Sequence, residues 1–206
     1  MPRKPSQAPT ATLWPNTGPR CPDPPPTLST PRLILRPVTH DDLNLYRGTF
    51  GSPEVMATVL KRTETERELR ERVNRYASSW HQQGTLHVFA VCPRTPLAHP
   101  VSGRTLPKGV PVGDAMLVPV ARQGPEIELG YRLAKHAWGM GIATEAAAAL
   151  IPYAFETLRL TQLIAVTDPS NAPSQSVLRK LGFTNRGTTD RFYDQTTTLF
   201  TLHNPG

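Results

Sequence analysis

Between Glu126 and Leu158 the period of the apolar positions changes once, and it does so across two glycines. Ile127, Leu129, Tyr131 and Leu133 alternate with Glu126, Glu128, Gly130 and Arg132, the period of two expected of a strand. Trp138-Gly139-Met140-Gly141 interrupts the alternation. From Ile142 the apolar residues recur at helical spacing through Ala143, Ala146, Ala147, Leu150, Ile151, Ala154 and Leu158. A glycine turn feeding a helix leaves several backbone N–H groups unpaired and aimed at one point, at the positive end of the helix dipole. That arrangement suits an anion such as a diphosphate, although on spacing alone it is also the pattern of a plain tight turn.

On the N-terminal side, Arg32 to Pro37 reads as a short strand stopped by proline, and Thr39 as the cap of a helix carrying Leu43, Leu45 and Tyr46. Glu64 to Gln83 is a second helix with Leu69, Val73, Tyr76 and Trp80 as its buried stripe and Gly84 as its stop. Strands follow at His87–Val91 and Pro111–Val120, the second with Val112, Ala115 and Leu117 as core candidates. Between them the proline-rich stretch 93–110 reads as a long loop, an insertion or a lid. Beyond the central stretch, Gln162–Thr167 is a continuous apolar run, as for a strand covered on both faces. Asn171 then caps a helix with Val177, Leu178 and Leu181 on its apolar face, and Leu181-Gly182-Phe183 closes it as a Schellman motif. A short strand after Phe183 and a last one over Phe192–Leu202 complete the order β-α-α-β-β-β-α-β-α-β-β. Pro152 lies in the long helix, where an interior proline costs about 3 kcal/mol and predicts a bend that spares the first turns.

Ten of the 23 prolines fall in residues 1–31, so this part reads as a disordered tail ahead of a domain over 32–206. Arg3-Lys4 is not followed by an apolar core, which excludes a secretory signal. At 206 residues, with 38% hydrophobic and 19% charged content, the chain can bury about 70% of its unfolded surface without staples. No apolar run reaches the roughly 18 residues of a membrane span. Cys21 and Cys92 have no metal-ligand spacing, and neither have the six histidines, so no metal is expected and the setting reads as reducing and cytoplasmic. The net charge of +7 suits phosphate-bearing ligands; without a basic run of five or more it weighs against nucleic acid as a partner.

The order of elements, together with four motifs, resembles the GNAT superfamily of acyl-coenzyme A-dependent N-acetyltransferases, and within it the ribosomal-protein N-terminal acetyltransferases of the RimJ/RimL type. The motifs are Glu128-Leu129-Gly130-Tyr131, Trp138 to Ala146, Asn171 with Ser174, and Lys180-Leu181-Gly182-Phe183. The resemblance spans about Arg32 to Leu202. It implies an α/β fold with a mixed, mostly antiparallel sheet flanked by helices, and acetyl-CoA as cosubstrate. It implies that the backbone at Trp138, Gly139, Gly141, Ile142 and Ala143 holds the coenzyme diphosphate, with Leu133 and Asn171 along the pantetheine arm. It also implies a sheet that splays between Glu128–Leu133 and Leu163–Thr167 to admit the thioester. One departure is His136, where the family often carries Gln or Arg.

Acetyl transfer to an amine needs a neutral nitrogen, a stabilised oxyanion and a proton for the departing thiolate. Glu128 and Asp190 are the candidate bases; Glu128 is alternatively a sheet carboxylate paired with Arg132, and Asp190 a surface-turn residue. Glu126 shares the face of Glu128 but stands farther from the loop. Ser174 matches the family serine that reaches the thiolate, or else is a first-turn hydroxyl, with Tyr193 as a second donor. Glu145 reads as a carboxylate favourable near a helix N-terminus, and Asn171 as a cap with or without a coenzyme contact. The expected activity is direct transfer to a primary amine, on an amine-bearing small molecule or a protein N-terminus, by a monomer or homodimer. The alternatives are a non-catalytic acyl-CoA-binding regulatory domain on the same fold and a nucleotide-binding fold. Against the latter stand the incomplete G-x-G-x-x-G spacing and the late position of the strand before the loop.

Overall fold

The computed structural model describes residues 19–59, 62–82, 85–120 and 125–206. Its strands are β1 (Leu28–Ser29), β2 (Leu33–Pro37), β3 (His87–Pro93), β4 (Leu97–Ala98), β5 (Thr105–Leu106), β6 (Gly113–Pro119), β7 (Ile127–Leu133), β8 (Gln162–Thr167), β9 (Thr184–Thr189) and β10 (Thr197–His203). Helices α1 (Leu43–Gly48), α2 (Pro53–Met56) and α3 (Glu66–His81) lie between β2 and β3; α4 (Ile142–Pro152) follows β7, and α5 (Ala172–Lys180) follows β8. Eight strands form one sheet in the order β1-β2-β3-β6-β7-β8-β10-β9, while β4 and β5 pair apart as a small hairpin. All neighbours in the sheet run antiparallel except β7 and β8.

Alternation along the strands explains how helices cover both faces. Leu33, Leu35, Phe89, Val91, Ala115, Leu117, Leu129 and Leu133 pack with Ala146, Ala147 and Leu150 of α4. The intervening Val88, Ala90, Met116 and Val118 meet Tyr46, Phe50, Leu69, Val73 and Tyr76 from the α1–α3 side. Because β3 and β6 are covered on both sides, every residue of each is buried. The alanines of α4 let its backbone lie close to the sheet, and Ala146, Ala147 and Leu150 are wholly buried.

Pro152, where a bend is expected, marks a change of helix type. Helix α4 ends at that residue, and the chain continues as a π-helical turn over Tyr153–Thr157, with Leu158 N donating to Tyr153 O at 3.0 Å. A proline ring supplies no N–H to an α-helical ladder, and a wider turn is one way to continue past it.

Three expectations differ from what is seen. Residues 19–31 are not a loose tail: Cys21 is buried, β1 pairs with β2, and His87 Nε2–H donates to Pro19 O at 2.8 Å. The composition of that segment did not reveal that a core histidine and Glu145 both need partners from it. Residues 1–18 of the same stretch, and the helix stop at Gly84, lie outside the described residues. The 93–110 stretch is not a featureless loop but carries the β4–β5 hairpin, anchored by the buried Leu106 and by His99 Nε2 donating to Trp138 O at 3.0 Å. The last strand begins at Thr197, not Phe192, because Tyr193 and Asp194 take positive φ of 62° and 54° in the turn from β9. Such left-handed residues interrupt a strand.

Candidate active site

The site starts from the one parallel neighbour pair among the described strands. Strands β7 and β8 are in register only at Glu128 and Ile164. Beyond that pair they run on to Leu133 and Thr167 without further registered partners, so the sheet opens as a fork toward the C-terminal ends of both strands. Glu128 stands at the base of the fork, and the glycine segment and the N-terminus of α5 stand at its mouth.

At the mouth, Gly139 and Gly141 have φ of 75° and 72°, a backbone region that costs other residues roughly 1–2 kcal/mol. Gly141 is the N-cap of α4, and the first helical bond, Glu145 N to Gly141 O, is 3.1 Å. Both glycines are exposed, Ile142 is buried and Ala143 half-buried. Trp138 braces the loop: its indole N–H donates to Leu133 O at 2.9 Å. Leu133, Trp138, Gly139, Gly141, Ile142 and Ala143 therefore form one continuous wall from strand end to helix start. Glu145, in the first turn, accepts hydrogen bonds from Thr30 Oγ1 at 2.5 Å and from Arg32 N and Nε at 2.9 and 2.6 Å. Burial raises its pKa, but these hydrogen bonds outweigh it and hold the carboxyl below its ordinary value.

Across the fork, Asn171 Oδ1 accepts from Ser174 N at 3.1 Å, which makes it the N-cap of α5. Its Nδ2 donates to Thr58 O at 2.9 Å and ties α5 to the segment after α2. Ser174 Oγ lies 2.9 Å from the hydroxyl of Tyr131, which also donates to Ser174 O at 3.1 Å. Burial pushes the Tyr131 hydroxyl up to about 12, so it keeps its proton at neutral pH. In the sequence Tyr131 reads only as an alternating strand position and the end of the Glu-Leu-Gly-Tyr motif. The available signal was that a buried tyrosine hydroxyl needs a partner.

The carboxylates separate by position. Glu128 accepts a hydrogen bond from Tyr193, whose own pKa is raised by burial and by that carboxylate. The guanidinium of Arg132, the alternative partner, lies over the Phe50 ring at 3.8 Å with Arg72 at 3.7 Å, and its Nη1 is 4.0 Å from Asp114. Asp114 is wholly buried, and neither of its carboxyl oxygens has a hydrogen-bond partner among the described residues. Burial raises its pKa, against the pull of Arg132 and Arg72. This polar layer under α1 and α3 was missed in the sequence, where β6 read only as core. Asp190 is exposed in the turn before β10 and accepts from Thr196 Oγ1 at 2.6 Å. Glu126 pairs with Arg191 at 2.8 Å. The structure thus places Glu128 in β7, Leu133 and the glycine loop after its C-terminal end, and Ser174 in the first turn of α5 after β8, and leaves Asp190 and Glu126 in surface pairs.

Residues 32–184 match the acetyltransferase (GNAT) domain family. The chain belongs to that family. It is an N-acetyltransferase, and family membership implies the use of acetyl-CoA. Among similar proteins, the FsC-acetyl coenzyme A-N(2)-transacetylase of Aspergillus fumigatus is 31% identical over 180 residues, 82% of this chain and 69% of that one. The solved acetyltransferase of Agrobacterium tumefaciens is 27% identical, covers 87% of this chain and 95% of its own, and superposes with a TM-score of 0.66. The ribosomal L7/L12 alpha-N-protein acetyltransferase RimL shares the fold, with a TM-score of 0.67 over 87% of this chain and 94% of that one at 15% identity. No helix among the described residues of this N-acetyltransferase is long and apolar enough to cross a membrane.

Proposed function

We propose that this N-acetyltransferase transfers acetyl directly from acetyl-CoA to a primary amine, without a covalent enzyme intermediate, and that protein N-terminal amines are its acceptor class. The observation that carries this reading is the fork between β7 and β8, with Glu128 at its base and the glycine wall and Ser174 at its mouth. The diphosphate lies against the backbone of Trp138 to Ala143, and the pantetheine arm runs past Leu133 and Asn171 into the gap. Glu128 takes the proton from the attacking amine, directly or through water. As the C–S bond breaks, Ser174 stabilises or protonates the thiolate.

The acceptor class follows from proton energetics. An α-amine with pKa about 8 is partly neutral at pH 7, whereas a lysine near 10.4 costs roughly 4.6 kcal/mol to deprotonate. A site whose candidate base is a single hydrogen-bonded carboxylate suits the easier amine. The similarity in fold to RimL agrees with this choice. A small-molecule amine is the second reading, favoured by the 31% identity to the A. fumigatus transacetylase.

The test is a calorimetric titration with acetyl-CoA, with NADH as control, followed by a thiol-release assay. Acceptors are ribosomal-protein N-terminal peptides, the same peptides blocked at the α-amine but carrying lysine, and small primary amines. Micromolar acetyl-CoA binding with turnover confined to free N-termini is expected. No acetyl-CoA binding by a folded sample removes the coenzyme assignment, and turnover on small amines alone replaces the acceptor class.

A further inference from the structure

A diphosphate at the start of α4 meets a difficulty in its own helix. Glu145 stands one turn in from Gly141, and a carboxylate there favours the helix dipole but repels an anion bound at the same end. The structure cancels that charge from another part of the chain. Arg32, just before β2, donates its backbone N–H and Nε to Glu145, and Thr30 adds its hydroxyl. The guanidinium does not stop at the carboxylate: its Nη1 donates to Met140 O, inside the glycine loop, at 3.0 Å. The remaining nitrogen, Nη2, lies 3.4 Å from the point where a Cβ on Gly141 would stand, and donates to no protein group among the described residues. The side chain is 42% exposed, so a ligand at the Gly141 end of the loop can reach it.

The loop's own segment supplies little competing charge. Lys135 pairs with Glu54 at 3.5 Å. Partial burial and the charge of Arg104 lower the pKa of His136, which leaves it neutral near pH 7. A guanidinium held by two of its nitrogens and open at the third is pre-oriented for an oxyanion, since its planar fork loses little freedom on binding.

We propose that Arg32 is a coenzyme-binding residue, which neutralises Glu145 and presents Nη2 to the diphosphate of acyl-CoA at the Gly139–Gly141 loop. The inference rests on the coenzyme assignment above and adds to it a residue outside the loop motif. It also gives the strap before β2 a role: Thr30 and Arg32 couple the N-terminal segment to coenzyme affinity.

The experiment compares the wild type with Arg32→Gln using four ligands. Coenzyme A and dephospho-coenzyme A, which keeps the diphosphate but lacks the 3′-phosphate, are titrated by calorimetry. Acetyl-CoA and acetyl-pantetheine, which has the thioester but no diphosphate, are compared as donors in turnover. Arg32→Gln is expected to weaken coenzyme A and dephospho-coenzyme A alike, by about 10–100-fold. The fall in kcat/KM for acetyl-CoA should exceed that for acetyl-pantetheine by about 10-fold or more. Equal affinity of variant and wild type for coenzyme A overturns the proposal. Equal falls with both donors also overturn it, because they mark a purely structural role for the Arg32–Glu145 pair. A loss spared for dephospho-coenzyme A overturns it in favour of the 3′-phosphate. Should Arg32→Gln not fold, Arg32→Gln with Glu145→Gln removes the uncompensated carboxylate, and the same comparisons apply to it. A wild type that binds no coenzyme A defeats the coenzyme assignment itself; one that binds it leaves only Arg32 at stake.

Discussion

The hydroxyl of Tyr131 lies within hydrogen-bonding distance of both Ser174 Oγ, at 2.9 Å, and Ser174 O, at 3.1 Å. A phenol has one proton to give. When it goes to the carbonyl, Ser174 donates back to Tyr131; when it goes to Oγ, the serine proton is free to point into the fork. Strand β7 thereby sets the orientation of a residue on α5. Ser174→Ala should lower kcat by about 10-fold or more, with coenzyme affinity within about 2-fold of wild type. Tyr131→Phe should give a smaller loss of the same kind. Steady-state kinetics beside calorimetry check both, and a wild-type rate for Ser174→Ala would make Ser174 a structural hydroxyl.

Gly141 has φ of 72° and is the N-cap of α4. A side chain there carries roughly 1–2 kcal/mol of backbone strain. Gly141→Glu adds a carboxylate beside Arg32 Nη2 that competes with phosphate for it. Coenzyme binding should be lost in calorimetry while the circular dichroism spectrum stays native. Unchanged affinity would contradict the loop's role.

Glu128 and Asp190 are both candidate bases by residue type, and the structure separates them by location. Glu128→Gln should lower kcat by about 10–100-fold and flatten the acid limb of the pH–rate profile. Asp190→Asn, in an exposed turn, should stay within about 2-fold of wild type. The reverse pattern would move the base out of the fork.

His87 is buried, with Nε2–H donating to Pro19 O and Nδ1 accepting from the Tyr153 hydroxyl at 2.9 Å. Burial pushes its pKa below the ordinary value, outweighing the Pro19 bond. Its neighbours keep their protons: burial raises both the Cys21 thiol, to about 11, and the Tyr153 hydroxyl. The unfolded chain therefore takes up the proton first as pH falls below about 6.5. Stability from His87 is complete above that pH and declines as acid approaches the folded-state value. Melting temperatures from pH 8 to pH 5 should fall more steeply for the wild type than for His87→Gln. Parallel slopes would show that His87 does not carry the effect.

Much of the scaffold was legible in the chain because it rests on local rules. Gln162–Thr167 is a strand at the residues its apolar run marked out, and Gly182 has the positive φ that its Schellman position requires. At Pro152, which lacks an N–H, the α-helix gives way to a π-helical turn. The final strand was mislocated because nothing local announces that Tyr193 and Asp194 turn left-handed while Tyr193 reaches Glu128, 65 residues away.

The sequence by itself determined the principal elements of the domain and their order, the glycine turn at the head of α4 and the residue types able to handle an amine and a thioester. Periodicity, capping and turn chemistry act over a few residues and are written in neighbours. Tertiary structure alone decided which groups meet: Tyr131 with Ser174 across the fork, Arg32 with Glu145 over 113 positions, and Asp114 with Arg132 under a layer of helix. Those pairings depend on strand order and on where the single parallel pair lets the sheet open. A buried hydroxyl or carboxylate must then take whatever partner that topology brings within reach.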